Sequence, residues 1–267
     1  MDSYYNKRAI QIEGINLNIS REKSYVLNLR NKFKNLKKPN VSIIVPTNKR
    51  NYISNIAKNY MNLNYPNKEL IIIINKDNIK AKECGELTDK YDNVRIFKLK
   101  ENTTLGECLN FGVSVAQYDY IAKMDDDDYY GPNYLTDQMN AFNYTRAAIV
   151  GKAAYFICFE DDSSIYINNP TFVHRYVRGL AGGTLLIKKS VFKKCKFEHL
   201  NVAEDTSFLT KCYFDGIKIY ATDPFNYLYI RHKDMGNNTW KVNKDILKQG
   251  YVFLTKRINY KEMIDVL

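Results

Sequence analysis

From residue 41 onward, apolar positions along the chain alternate between two rhythms. Val41–Val45 is a short apolar run closed by Pro46-Thr47-Asn48, with the length and composition of a buried strand. Across Tyr52–Leu63 the residues Ile53, Ile56, Ala57, Tyr60 and Met61 recur at helical spacing, which predicts a helix with those five on one face. Leu70–Ile74 is an unbroken run rich in isoleucine, as expected of a strand covered on both faces of a parallel sheet. Residues 80–91 read as helix, Val94–Leu99 as strand, and Leu105–Ala116 as helix with Leu105, Leu109, Gly112, Val113 and Ala116 on one side. Tyr118–Met124 is the next strand. This β-α-β-α-β-α-β order predicts an α/β fold with a mostly parallel sheet and helices on both faces.

Outside that stretch the pattern is less regular. Ala9–Ile19 has strand character, and Ser24–Leu36 reads as a short helix before Lys37-Lys38-Pro39. A proline after a basic pair marks a boundary, so residues 1–39 are expected to be a packing extension. After residue 131 a helix is predicted at Pro132–Thr145. A hairpin of Ala147–Phe159 and Ser164–Asn168 follows, around Glu160-Asp161-Asp162-Ser163. Thr171–Val177 and Gly183–Ile187 read as strands. Ala203-Glu204-Asp205 opens an amphipathic helix that stops at Gly216, since glycine readily takes the left-handed turn that ends a helix. Ile217–Ala221 and Tyr227–Ile230 follow as strands, and the tail from Lys241 reads as helix. The expected organisation is an extension (1–39), one domain (40–240) and a helical tail (241–267).

Composition narrows the classes. With 267 residues, 45% of them hydrophobic, the chain can bury the core of one large α/β domain. Its longest apolar run, Leu70–Ile74, is far too short to cross a bilayer. Met1–Lys7 lacks the apolar segment of a secretion signal, so a cytoplasmic protein is expected. The cysteines Cys84, Cys108, Cys158, Cys195 and Cys212 are widely spaced and form no CxxC pair, which suggests neither a zinc site nor a disulfide framework. The net charge of +11 fits a phosphorylated substrate, nucleic acid or an anionic membrane as partner. A membrane partner would place the protein peripherally at the inner face. A merely soluble basic surface fits equally.

Four consecutive aspartates, Asp125, Asp126, Asp127 and Asp128, follow Met124. Adjacent carboxylates at a strand end repel one another unless a cation sits among them, and oxygen ligands suit Mg²⁺ or Mn²⁺. A calcium loop is the competing use. Asp126, Asp128 and Gly131 fall on its spacing, but Tyr130, Pro132 and Asp137 spoil its ligand pattern. In parallel sheets ligands bind beyond the carboxyl ends of the strands. Thr47, Asn75 and Asp125–Asp128 each lie just after a strand and are expected on one rim. His232 also follows a strand, where it could complete a metal shell, contact a diphosphate, or be a plain surface histidine.

The segments Val41–Thr47, Glu69–Asn75, Tyr120–Asp128 and Ala203-Glu204-Asp205, in this order and spacing, resemble the family 2 glycosyltransferases of the GT-A fold. The resemblance covers residues 40–232. Asn75 and the ending Arg231-His232…Asn238-Thr239-Trp240 look closest to a bacterial, spore-maturation-type branch. The resemblance implies a Rossmann-like central sheet, with a nucleotide-binding half over 40–130 and a smaller mixed acceptor half over 131–240. It also implies metal-dependent, inverting transfer from a nucleotide-diphospho-sugar to a hydroxyl acceptor, such as a cell-envelope or spore-surface glycan, with no nucleic-acid partner.

On that resemblance the acidic cluster would be the DXD motif, which binds the metal and the diphosphate. Asp125 and Asp127 would form the pair, Asp127 being the direct ligand. Asp126 would contact ribose or sugar, and Asp128 the surrounding loop. Thr47 and Asn75 match the nucleobase positions, Asn75 standing where aspartate is more usual. An amide oxygen still accepts the imide proton of uracil, which favours uridine and leaves thymidine and guanosine open. Residues 100–104 match a loop over the nucleotide. Glu204 and Asp205 match the catalytic acidic pair, with Asp205 as candidate base, although acidic residues suit the first turn of any helix. Gly183, within Gly182-Gly183-Thr184, would let the backbone approach the donor sugar or would simply make a tight connection. His232 would join Asp127 and Asp125 at the metal, with Arg231 assisting. Trp240 would stack on a sugar or anchor packing.

Two rival readings use the same residues differently. A nucleotidyltransferase would want a glycine-rich phosphate loop after the first strand, and residues 46–50 contain no glycine. A non-catalytic polyanion- or nucleic-acid-binding protein would use a basic stripe with exposed aromatics, yet an acidic rim without metal repels phosphates.

Overall fold

The structure is a computed structural model and describes residues 19–81, 85–233, 242–256 and 259–267. The strand expected at Ala9–Ile19 lies outside the described residues except for Ile19, which opens a helix, α1, at 19–33. Next come β1 (Val41–Thr47), α2 (Ile53–Asn62), β2 (Lys68–Ile74), α3 (Gly85–Lys90), β3 (Val94–Lys98), α4 (Leu105–Val115) and β4 (Tyr120–Lys123). The second half begins with β5 (Tyr129–Tyr130), α5 (Tyr134–Tyr144), β6 (Ile149–Gly151), β7 (Tyr155–Phe159), β8 (Ser164–Asn168), β9 (Arg175–Tyr176) and β10 (Leu186–Lys188). It ends with α6 (Glu204–Phe214), β11 (Ile219–Ala221), β12 (Tyr227–Arg231), α7 (Lys244–Gly250), β13 (Val252–Lys256) and α8 (Lys261–Ile264).

The larger sheet has the order β3-β2-β1-β4-β10-β6-β11-β9. Its first four strands are parallel, β10 runs antiparallel between β4 and β6, and β9 is an antiparallel edge. Ile71, Ile72 and Ile73 are completely buried, and burial of each such side chain contributes about 1.5–3 kcal/mol. One face of the sheet packs Ile43, Val45 and Ile72 against Ile53, Ile56 and Tyr60 of α2. The other packs Ile44, Ile71 and Ile73 against Leu109 and Val113 of α4 and Phe208 of α6. A second, mixed sheet, β13-β8-β7-β12-β5, packs Phe156 and Leu228 against Val26 of α1 and Ile264 of α8. The GT-A-like α/β architecture expected from the sequence is present, including the smaller mixed region.

Several elements differ from expectation, each for a local reason. Met61 is not on the inner face of α2 but is 47% exposed, because Ile53, Ile56 and Tyr60 already define that face. The stretch Ala147–Phe159 is not one arm of a hairpin. Buried Lys152 breaks it by donating to the carbonyl and carboxylate of Asp223, sending β6 into the large sheet and leaving β7 to pair with β8. Of Thr171–Val177 only Arg175–Tyr176 pairs, since Asn169 and His174 hold left-handed φ angles of 43° and 49°. Gly182–Thr184 is a 3-10 turn rather than the start of a strand. The tail is not wholly helical, because β13 adds to the edge of β8 between α7 and α8. Among the described residues no helix is long and apolar enough to cross a membrane, and Cys108, Cys158, Cys195 and Cys212 are free thiols.

Contacts distant in sequence tie α1, α5 and the C-terminal residues together. Arg30 of α1 makes a bidentate pair with Asp137 of α5 at 3.0 and 2.9 Å and donates to the carbonyl of Val266 at 2.6 Å. Tyr129 Oη donates to Asp265 at 2.8 Å, and Lys23 Nζ donates to the Glu262 and Asp265 carbonyls.

Candidate active site

Parallel pairing brings the carboxyl ends of β1, β2 and β4 to one rim. The Asn75 amide N–H donates to the Thr47 carbonyl at 3.2 Å, so the two residues are held side by side. Asn75 Nδ2 donates to the Thr103 carbonyl at 3.1 Å. Thr47 Oγ1 donates to Asp126 Oδ2 at 2.5 Å, linking this pair to the acidic loop. That loop is stapled from below by α2, where Asn55 donates to the carbonyls of Asp126 and Asp128 and Asn59 to that of Asp128. Asn62 donates to the Tyr130 carbonyl, and the Tyr130 amide donates back to Asn59 Oδ1.

The four aspartates have four different environments. Asp128 is completely buried and accepts from Tyr227 Oη at 2.6 Å and the Ile230 amide at 3.0 Å. Burial, then the negative charges of Asp127 and Asp125, pushes its carboxyl well above the ordinary value. Asp126 faces Thr47, and its carboxyl is likewise pushed up by burial and by Asp127. Asp125 Oδ1 accepts from Lys123 Nζ at 2.7 Å. Asp127 Oδ2 lies 3.4 Å from His232 Nε2. Asp128 is closed off, whereas Asp125, Asp126 and Asp127 are each half-buried at the rim.

A tight turn carries the acidic loop to a second pair of acids. Tyr130 Oη donates to the Gly183 carbonyl at 2.7 Å and accepts from the Asp125 amide at 2.8 Å. A Cβ on Gly183 would stand 2.7 Å from Asp125 Oδ2, and one on Gly182 would stand 1.7 Å from Asp205 Oδ2. Only glycines allow this approach, and through them Asp125 and Asp205 border one space. Ala203, at φ 64° in the left-handed region, turns the chain into α6 so that Glu204 and Asp205 occupy its first turn. Lys123 Nζ is buried between the two acidic groups, 2.7 Å from Asp125 and 3.8 Å from Glu204. Burial alone would lower its affinity for the proton, but Asp125, Glu204 and Asp205 outweigh that and keep it charged. Glu204 is pushed up to about 7 by burial, against the pull of Lys123. Asp205, less buried, accepts from the Thr206 amide at 2.6 Å.

His232 is held from three sides. Its Nδ1 is 3.0 Å from Glu160, its Nε2 faces Asp127, and its ring stacks on Tyr52 with centroids 5.3 Å apart. Burial would lower the imidazole's proton affinity, but Asp127 and Glu160 outweigh it and raise it. Arg231 instead turns inward and donates to the Val242 carbonyl at 2.6 Å. Trp240 and the ending Asn238-Thr239 lie outside the described residues.

Among the described residues no group of three or more His, Cys, Asp or Glu side chains is placed to hold a metal ion. Mg²⁺ and Mn²⁺ do not require one, since they commonly take part of their shell from waters and substrate phosphates. Adjacent ligands of an ion with bonds of about 2.1 Å stand about 3 Å apart, close to the 3.4 Å between Asp127 and His232. On this spacing Asp127 and His232 are the candidate protein ligands, and the rest of a shell would come from water and substrate.

Lys123, Glu160, Tyr130 and the asparagines of α2 were not singled out by motif. The spacing of Asn55, Asn59 and Asn62 on one helical face was the available signal, since three amides in register can donate to a loop lying across them. Glu160 carried no signal, because it sits in a turn far in sequence from His232.

The sequence model of the family described as Glycosyl transferase family 2 matches residues 42–198, more than half of the chain. An uncharacterized glycosyltransferase of Haemophilus influenzae is 28% identical over 121 residues, covering 45% of this chain and 41% of that protein. The match thus spans less than half of that relative's length. The crystal structure of S. aureus TarS 1–349 in complex with UDP-GlcNAc matches with a TM-score of 0.58 at 16% identity, covering 74% of this chain and 61% of that one. The mannosyltransferase PcManGT from Pyrobaculum calidifontis, in complex with GDP-Man and Mn²⁺, matches with a TM-score of 0.59 at 14% identity, covering 82% and 68%. At these identities the likeness to the solved structures is one of fold.

Proposed function

The chain belongs to glycosyltransferase family 2, and on that premise we propose that it transfers a sugar from a nucleoside-diphosphate sugar to a hydroxyl acceptor, with inversion at the anomeric carbon. The observation that carries this reading is the approach of Asp125 and Asp205 to the two faces of the Gly182-Gly183 turn. It brings a diphosphate-side carboxylate and a candidate base to one reacting centre.

The nucleobase sits between Thr47 and Asn75. Because Asn75 Nδ2 is engaged by Thr103, its Oδ1 is the atom presented to the base, and an acceptor there suits the imide N–H of uracil. UDP-GlcNAc in S. aureus TarS is in keeping with uridine, and GDP-Man in the mannosyltransferase keeps guanosine as the competitor. Asp126, reached through Thr47, lies on the ribose side. Asp127 and His232 would hold Mg²⁺ or Mn²⁺, which would neutralise charge on the departing diphosphate, and Asp125 borders the same space.

Asp205 takes the proton of the acceptor hydroxyl as that oxygen attacks the anomeric carbon. The bond from that carbon to the diphosphate oxygen breaks, and its electron pair leaves with the diphosphate. Glu204 is a poorer base by placement, being buried against Lys123. Lys123 keeps the neighbouring carboxylates from repelling one another while the site is empty of substrate.

A thermal-shift series with UDP, GDP and thymidine diphosphate, with and without Mn²⁺, tests this. The expected outcome is metal-dependent stabilisation, largest with UDP, that Asp127→Ala abolishes. Asp205→Ala should keep that stabilisation and lose transfer by about 10²–10⁴-fold. No stabilisation by any nucleotide in the presence of metal would overturn the reading.

A further inference from the structure

We propose that the outer edge of the large sheet is a docking surface for an anionic lipid bilayer. This docking stands independently of the reaction assigned to the site. The edge is formed by β9 and by the connection from α6 to β11, and exposed rings gather there. Phe214 is 80% and Tyr176 51% exposed, and Tyr213, beside Phe214 in the last turn of α6, is exposed as well.

Each ring is paired with a cation or another ring. The Arg178 guanidinium lies 4.9 Å over Tyr213, Lys218 Nζ lies 6.0 Å over Tyr176, and Tyr213 meets Phe214 edge-on at 5.7 Å. Arg175 and Lys211 are exposed alongside. The acid within this cluster, Asp215, accepts from the Cys195 thiol at 3.2 Å.

Charge and shape together identify the occupant. Basic residues beside aromatic ones match the phosphate-rich interface of an anionic leaflet, where amphipathic rings settle at headgroup depth. A neutral glycan would leave the charge of these cations unanswered, whereas an anionic leaflet pairs with it. A ring as exposed as Phe214 protrudes from the surface and can enter the headgroup region. The contact is peripheral, because bare edge-strand backbone is not tolerated in hydrocarbon.

The edge is also joined covalently to the site. Arg178 precedes the Gly182-Gly183 turn by four residues, and α6 carries Asp205 at one end and Phe214 at the other. Docking would hold the C-terminal end of α6, about 14 Å along the helix from Asp205, at the membrane surface.

Co-sedimentation of the full chain with vesicles tests this. Phosphatidylcholine alone is compared with phosphatidylcholine containing about one third phosphatidylglycerol, at low and high salt. Binding should require phosphatidylglycerol and weaken about tenfold or more at high salt. Tyr213→Ser with Phe214→Ser, and separately Arg178→Glu with Lys218→Glu, should each weaken it about tenfold. Both variants should keep the parent melting temperature and Mn²⁺-dependent UDP binding. Lys193→Glu with Lys196→Glu, which line a groove against α4 with Asn110 and Val113, should leave lipid binding intact. The proposal is overturned by no binding to the mixed vesicles, or by binding lost only in the Lys193 and Lys196 variant. Concentration-dependent self-association that the edge variants abolish would also overturn it, since the occupant would then be a second copy of the chain.

Discussion

Glu160 meets the site through His232 and also accepts from the Lys233 amide at 3.2 Å. Its carboxylate, 3.0 Å from Nδ1, holds the ring so that Nε2 faces Asp127, and partners of this kind typically change metal affinity by roughly 10–100-fold. In the presence of UDP, Glu160→Ala is expected to weaken Mn²⁺ binding by about tenfold or more by calorimetric titration. Glu160→Gln, whose amide oxygen still accepts from Nδ1–H, should restore most of it. Glu204 makes a prediction in pH. With its carboxyl pushed up to about 7, the folded protein keeps a proton that the unfolded chain has released once pH passes the ordinary carboxylate value. The metal-free protein therefore loses stability as pH rises through that interval. Denaturant titration should show Glu204→Gln gaining on the parent by about 1–3 kcal/mol between about pH 5 and pH 8. An equal stability difference at both values would remove this assignment.

The helix α2 both covers the sheet and fastens the acidic loop. Its apolar residues Ile53, Ile56 and Tyr60 were legible as a helical stripe, because burial against a flat sheet imposes that period. The asparagine ladder on an adjoining face was not, because an asparagine on a helix is as easily solvated as bonded. Asn59 accepts from Tyr130 and donates to Asp128 inside the protein. Replacing it with leucine leaves a buried amide without its acceptor and should cost about 1–3 kcal/mol, read from the urea midpoint. Weaker Mn²⁺-dependent binding of UDP should accompany it, since the loop that bears Asp127 is no longer held. The shorter strands of the second half are illegible in the sequence for a related reason. β6, β9 and β10 are each two or three residues long, too short for a period to establish, and their limits are set by partners distant in sequence.

At the scale of the whole molecule, α1, α5 and the C-terminal residues are joined by Arg30, whose partner Asp137 is almost fully buried. Arg30→Met breaks that pair on one side and should destabilise the fold by about 3–5 kcal/mol near neutral pH. Asp137 is already raised to about 6 by burial, with Arg30 pulling it down, so losing Arg30 should raise it further. The penalty should then shrink as pH falls and Asp137 takes a proton, and a penalty that grows at low pH would count against this account. The sequence by itself determined the α/β order, the parallel half of the sheet and the rim shared by Thr47, Asn75 and the aspartates. Side-chain period records burial, and parallel strands present their carboxyl ends together. The family resemblance assigned the four neighbouring carboxylates different roles, but only the tertiary structure decided what each meets, sending Asp128 to Tyr227, Asp126 to Thr47, Asp125 to Lys123 and Asp127 to His232. Adjacent residues of one type carry no local difference, so their environments are set by groups that meet them only after folding.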